Sequence, residues 1–228
     1  MKKAAKLHKF MIYVVLALAF FALKAAAQQT VDKTVAAVSD SVRTELITYS
    51  DLLWQLALNP NVSINPPSSD DLNRALQIII NQRLFALEAQ RLPKADPTPD
   101  EIKAKIADVL AQFPSTADFE RRLRLVGFDS VKDENFERMM AERVRIEKYI
   151  DFRFRSFIVI RPEEEAKYYR EVYAPEFRRR NPGLLTPTLE EKRAEINRIL
   201  IEQKVTADIE RFLDEAKSRA EIVILNKV

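Results

Sequence analysis

Carboxylates, tyrosines and arginines are the side chains with which this chain could do chemistry. Asp100-Glu101, Asp133-Glu134 and Glu190-Glu191 are adjacent acid pairs, and Glu163-Glu164-Glu165 is an acidic run. Paired carboxylates suit glycosidase-like acid–base work, but each pair falls in the first turn of a predicted helix, where the macrodipole favours negative charge. They read as helix-start charges. The one histidine, His8, sits in an apolar leader, and there is no cysteine. The remainder therefore cannot assemble a Ser-His-Asp or Cys-His nucleophile, or a zinc site of the usual His and Cys ligands. Two glycines, Gly127 and Gly183, cannot build a phosphate or dinucleotide loop. No catalytic residue, cofactor or metal is expected.

One patch points to binding. Tyr168, Tyr169, Tyr173 and Phe177 run into Arg178, Arg179 and Arg180. Adjacent tyrosines on a helix cannot both face one core, and amphipathic rings beside guanidinium groups suit contact with extended, aromatic-rich peptides. Tyr168, Tyr169, Tyr173, Phe177, Arg178 and Arg179 are the candidate binding residues. In the alternative, the rings pack beneath a proline-rich linker. Met139-Met140 beside Phe136 reads as helical core rather than as an adaptable surface.

The element that must position this patch is the chain's longest. Thr188-Leu189-Glu190-Glu191 has capping-box spacing, so a helix starts at Leu189. Leu189, Ile196, Ile199, Leu200, Ile209, Phe212, Leu213 and Ala216 then recur mostly at three- and four-residue spacing. That is one amphipathic helix of roughly thirty residues, about 45 Å long. It ends near Ser218 and passes into a short β-branched run, Ala220 to Leu225. A lone strand cannot satisfy its own backbone. Its partner is a predicted hairpin at the other end, Val35–Val38 and Thr44–Thr48 around the turn Ser39-Asp40-Ser41. The expected fold is mainly α, a helical core with a small sheet joining the N-terminal hairpin to the C-terminal strand.

Between these ends the sequence predicts helix after helix. Leu52–Leu58 carries Trp54, the single tryptophan, as a core anchor; Asn59–Ser69 is a loop with three prolines. Asp70 or Asp71 caps a helix running to about Arg91, too apolar for a surface element and placed at the centre of the core. Pro93–Pro97 breaks the chain, and Thr98-Pro99-Asp100-Glu101 restarts it with a capping box and proline in the first turn. Ser115 caps Phe119–Val126, Gly127 ends that helix, and Ser130 caps a long helix reaching Arg155. Phe157–Ile160 is extended in character, and Pro162 opens a helix to about Val172. Residues 28–174 form the helical domain, 175–187 a proline-rich linker, and 188–228 the long helix and strand that return to it.

The first residues read as an address rather than as fold. Four lysines precede an unbroken apolar run of 14 residues, Phe10–Leu23, and Ala25-Ala26-Ala27 offers a cleavage site. That is the pattern of a secretory signal peptide, residues 1–27, and is too short to span a bilayer permanently. The whole chain holds 37 Lys and Arg against 34 Asp and Glu, but residues 1–27 contain five lysines and no acid. What remains carries 32 basic against 34 acidic residues, so the basic isoelectric point belongs to the leader and gives no reason to expect nucleic acid. Without cysteine, an exported chain of this kind must hold together by burial alone. A soluble protein of the periplasm is expected.

The order of these elements resembles a known family. The hairpin "VAAVSDSVRTELITYSDL", "ALQIIINQRLFALEAQRL", "PTPDEIKAKI", and a long helix reaching "RFRSFIVI" and then "PEEEAKYY" are similar to the N-terminal domain of the SurA-type periplasmic chaperones. "EEKRAEINRILIEQKVTADIERFLDEAKSRAEIVIL" resembles the C-terminal helix and strand that pack back onto that domain. In the family, parvulin-type prolyl isomerase domains lie between those two parts, where this chain has about fifteen residues and no histidine. The resemblance thus implies an ATP-independent chaperone that binds unfolded outer-membrane or exported polypeptides, without isomerase activity. A prolyl isomerase with an unrecognised site, or an assembly factor dedicated to one envelope partner, are the alternatives.

Overall fold

A computed structural model describes residues 32–89 and 96–228, and the fold is that of Thr34–Val228. The predicted leader, the predicted helix end at Arg91 and the start of the Pro93–Pro97 break lie outside the described residues.

The two ends meet as expected. Strands β1 (Thr34–Ser39), β2 (Thr44–Thr48) and β3 (Glu221–Ile224) form an antiparallel sheet in the order β2-β1-β3. Ala37 faces Leu46 on one side and Val223 on the other, and Val38 faces Glu45 and Ile222. Beyond β3, both Leu225 and Asn226 donate their N–H to Val35 O, and Asn226 Nδ2 donates to Thr34 O at 2.7 Å. The last strand is thereby fastened to the first.

The rest is mainly helical: α1 (Tyr49–Ala57), α2 (Ser69–Ala89), α3 (Pro99–Leu110), α4 (Thr116–Leu125), α5 (Glu134–Ile150), α6 (Pro162–Tyr168), α7 (Ala174–Arg180) and α8 (Leu189–Arg219). Most start where side-chain caps put them. Thr98 with Glu101 and Thr188 with Glu191 form the two expected capping boxes, and Thr48 with Asp51 forms a third. Two caps differ from expectation. Ser68, whose Oγ accepts from Asp71 N, precedes α2 in place of Asp70 or Asp71. Asp133, accepting from Asn135 N and Phe136 N, starts α5 three residues after Ser130.

Apolar packing falls into three clusters. In the first, Val35, Val38 and Ile47 of the sheet meet Leu52 of α1, Leu76 and Ile80 of α2, and Ala216 of α8. In the second, Phe119, Leu123, Phe128, Phe136 and Met140 are almost wholly buried, with half-buried Trp54 against Phe128 at 4.9 Å. In the third, Phe85 stacks on Phe212 at 5.1 Å, with Tyr149 and Phe154 around them. Nearly half of α2 is buried, and it feeds the first and third clusters. It is the centre that its composition predicted.

Arg122 of α4 ties the end of α1 to the loop beyond it. Its guanidinium donates to Leu56 O at 2.9 Å, Ala57 O at 3.0 Å and Asn59 O at 2.8 Å, and also to Val62 O. Carbonyls of the last turn have no partner within the helix. Here a cation supplies the donors at the end where the macrodipole favours one.

Candidate functional site

The tyrosine and arginine segment is helical, which corrects the linker expected over 175–187. Pro175 lacks an N–H and its ring would meet a carbonyl one turn back. One wider π-helical turn, Tyr169–Tyr173, closed by Ala174 N–H on Tyr169 O, carries the chain through to α7. A near-continuous helix of about 28 Å results, Pro162–Arg180. Only residues 181–187 form the connection, turning at Gly183, whose φ of +86° is the left-handed conformation a glycine tolerates. A further π-helical turn, Asp151–Arg155, ends α5.

Helices α6 and α7 together with the first half of α8 make a helical arm. No residue between Pro162 and Leu200 belongs to the three apolar clusters. Polar contacts hold the arm closed instead. Glu165, 5 % exposed, accepts from Arg193 Nη1 at 2.9 Å and Asn197 Nδ2 at 2.8 Å. Glu164 pairs with Lys204 at 2.8 Å, and Lys204 also donates to Val159 O at 3.2 Å. Tyr169 donates its hydroxyl to Pro187 O at 2.8 Å. Ile196 is the one fully buried apolar side chain of this half of α8.

Three of the predicted rings form a column. Tyr169 and Tyr173 stack at 5.9 Å, and Tyr173 and Phe177 at 6.1 Å, four residues apart along the helix. All three are half-buried. Tyr168, one position round, is half-buried and has no ring partner among the described residues. Arg178, Arg179 and Arg180 are exposed at the end of α7; Arg178 Nε donates back to Ala174 O at 3.1 Å and Arg180 pairs with Glu176 at 3.1 Å. Arg179, also exposed, forms no ion pair or hydrogen bond among the described residues.

Two neighbouring features escape the sequence reading. The connection after α7 presents Leu184, 64 % exposed, and Leu185, 95 % exposed. The segment leading into α6 presents Phe152, with Phe157 and Val159 each 74 % exposed, and the two rings meet edge to face at 6.1 Å. The signal lies in Phe157–Ile160: its alternation puts Phe157 and Val159 outward while Ile158 packs on the third cluster. Read as a strand, that alternation suggests a sheet partner. The segment has none among the described residues: Phe157 lies in a turn closed by Ile158 N–H on Arg155 O, and 158–161 lead on to α6 without regular structure.

The electrostatics of the arm are those of ion pairs at its seam. Hydrogen bonds from Lys204 and from Arg161 N hold the Glu164 carboxyl below the usual glutamate range. Arg155, bonded bidentately by Glu202, lowers that carboxyl in the same way. The Thr188 cap lowers Glu191, and Glu195 together with Tyr173 raises Lys192. The other acid pairs serve as caps too: Glu101 accepts from Thr98 N and from Lys148, and Asp133 from three backbone N–H groups. No group of three or more Asp and Glu that could hold a metal occurs among the described residues, nor any helix long and apolar enough to cross a membrane. What the arm offers is non-covalent contact: ring faces, guanidinium donors and aliphatic side chains in water. No family model matches the chain, and no curated protein matches it.

Proposed function

We propose that this chain is an ATP-independent holdase of the periplasm that keeps unfolded outer-membrane or exported polypeptides soluble. The observation that carries the reading is the arm. Large apolar side chains stand exposed at both of its ends, Phe152, Phe157 and Val159 before α6 and Leu184 and Leu185 after α7, with the Tyr169-Tyr173-Phe177 column and the arginines between them. Surfaces of this kind mark binding sites in soluble proteins. Dispersed rings and guanidinium groups suit weak, reversible contact with many extended chains rather than one tight fit.

The resemblance to SurA-type chaperones gives this surface its client class. In that family the isomerase domains stand where this chain has only Ala174 to Thr188, so the resemblance implies a client-binding body without an isomerase. The β1–β3 pairing supports the comparison, because the family's C-terminal strand returns to its N-terminal domain.

The test is suppression of light scattering when a urea-unfolded outer-membrane β-barrel protein is diluted into a low molar excess of the purified chain, with prolyl isomerisation of a peptide monitored alongside. Suppression without turnover is expected. Tyr173→Ser combined with Phe177→Ser and Leu185→Ser should lose most of it while the far-ultraviolet circular dichroism is kept. No suppression by the unaltered chain would sink the holdase and favour a dedicated assembly partner, and turnover would establish an isomerase.

A further inference from the structure

Strand β3 is an edge. In the order β2-β1-β3 it pairs with β1 on one side, and no strand among the described residues pairs with the other. The ladder fixes which backbone groups that leaves outward. Leu225 N–H on Val35 O continues the pairs Glu221 with Ser39, Ile222 with Val38, Val223 with Ala37 and Ile224 with Ala36. Hydrogen-bonded and non-hydrogen-bonded positions alternate along an antiparallel pair. Glu221, Val223 and Leu225 therefore spend their N–H and C=O on β1, and Ile222 and Ile224 turn theirs away. The far side of β1 agrees: Asp40 N–H on Arg43 O makes Ala36 and Val38 the residues that bond to β2. Asn226 N–H, next in the outward series, is bent back onto Val35 O. The open edge thus offers the N–H and C=O of Ile222 and Ile224.

The side chains along this edge are apolar and in water. Ile224 is 49 % exposed and Leu225 54 %, Val223 is exposed beside them, and the charged residues at the two ends, Glu221 and Lys227, are exposed too. Edges of this kind template pairing with another chain unless proline, charge or brevity blunts them. Strand β3 is short, but it has no proline and its end charges are opposite in sign. They match a second copy of the same strand. With Val223 on a two-fold axis, Ile222 of each copy stands opposite Ile224 of the other, and their outward groups exchange four hydrogen bonds. Val223 meets Val223 at the closely spaced non-hydrogen-bonded position. Glu221 lies opposite Leu225, and two residues further along is Lys227, an opposite charge at the diagonal distance that long side chains span. Arg219, the other cation near this end, is turned to Glu88 and Glu215. Other two-fold registers do less well. An axis through Ile224 sets Ile222 against the bent Asn226, and one through Ile222 sets Ile224 against Ala220, whose N–H is spent on Ala216 O.

We infer that β3 pairs with β3 of a second copy of this chain, antiparallel about Val223, joining two three-stranded sheets into one. An unrelated extended peptide could accept the same four bonds, but it would not bring the apolar match and both charges. The contact is short and covers much less than a standard interface, so the dimer is reversible and forms with rising concentration. It uses no residue of the arm, and stands or falls apart from the holdase reading.

The chain has no cysteine, so a single introduced thiol reads the register. Val223→Cys places two thiols on the axis at a Cα separation of about 4.5 Å, which a disulfide accepts; Leu225→Cys, opposite Glu221, does not. Under mild oxidation the first should cross-link at least tenfold faster than the second. In sedimentation velocity the unaltered chain should move from one copy toward two over a hundredfold range of concentration. Ile224→Pro removes an outward N–H and leaves the β1 ladder alone, a place where an edge tolerates proline. It should weaken dimerisation at least tenfold with circular dichroism and Trp54 emission unchanged. Glu221→Lys should weaken it at least threefold, and adding Lys227→Glu should restore it, a test that survives should the proline variant unfold. A single copy at every concentration, self-association unchanged in folded Ile224→Pro, or equal cross-linking of the two cysteine variants would each overturn the inference. A chain that stays single yet loses its hold on an unfolded polypeptide in Ile224→Pro would overturn it in favour of a client strand at the same edge.

Discussion

Replacing Arg122 should cost more stability than any surface arginine, and by an amount that its four acceptors fix. Three of them, Leu56 O, Ala57 O and Val62 O, are part-buried, and Asn59 O is exposed. In Arg122→Met the exposed carbonyl rehydrates at little cost. The other three lose a charged donor, at roughly 1 kcal/mol each when water, or for Leu56 O the Asn59 N–H it already accepts, can partly replace it. The total is about 3 kcal/mol, which for a fold of this size is a fall in Tm of roughly 6–12 °C. Arg122→Lys keeps the charge but offers a compact ammonium in place of a planar fork. It should recover about half. Because every acceptor is a neutral carbonyl, the loss should change little between low salt and roughly 0.5 M, unlike that of an exposed ion pair. Urea unfolding monitored by Trp54 emission measures all of this. Both variants unfolding within about 0.5 kcal/mol of the parent, or a loss that vanishes in salt, would refute the assignment of Arg122 as the carbonyl anchor.

Two further predictions concern the arm. Glu165→Ala removes the acceptor shared by Arg193 and Asn197, so amides of Pro162–Arg180 should exchange about tenfold faster while those of α2 hold their protection; loss spread evenly over both would deny that the arm opens as a unit. The seam should also loosen in acid. Glu164, Glu191 and Glu202 have folded-state values below the ordinary glutamate value of 4.5, so they bind fewer protons folded than unfolded. Their contribution is complete above that value and is lost as the pH falls through the lower folded values. Protection factors of arm amides, with exchange corrected for its intrinsic pH dependence, should therefore fall below about pH 4.5 before those of the core do, and an arm whose protection is indifferent to acidification through that range would contradict the seam.

How much of this is legible in the sequence depends on whether a signal is local. Thr98, Ser115 and Thr188 announce their helices because a cap is written within four residues. The closure of β3 on β1 is legible for a different reason: an unpaired strand needs a partner, and only one apolar hairpin is on offer. Ser68 and Asp133 escape notice because Ser68-Ser69-Asp70-Asp71 and Ser130 to Asp133 each offer several competent caps, and neighbouring packing chooses among them. Pro175 is the more serious miss. Proline after alanine signals a break on local chemistry, but a π turn of one extra residue shifts the carbonyl that the ring would strike, and nothing in the residue types of Tyr169–Tyr173 announces that turn.

The candidate site shows the same divide at the level of side chains. Spacing of four predicts that Tyr169, Tyr173 and Phe177 share a stripe, and they stack. It does not say whether that stripe faces protein or water, because periodicity marks a face and not its occupant. The contact of Arg143 with Gln55 is invisible in the sequence for a related reason. Gln55 and Arg143 lie 88 residues apart on α1 and α5, and they meet only once the apolar faces of those helices have packed. Such a contact is a product of assembly. It is settled in three dimensions, whereas the caps of Thr98 and Thr188 are written within four residues.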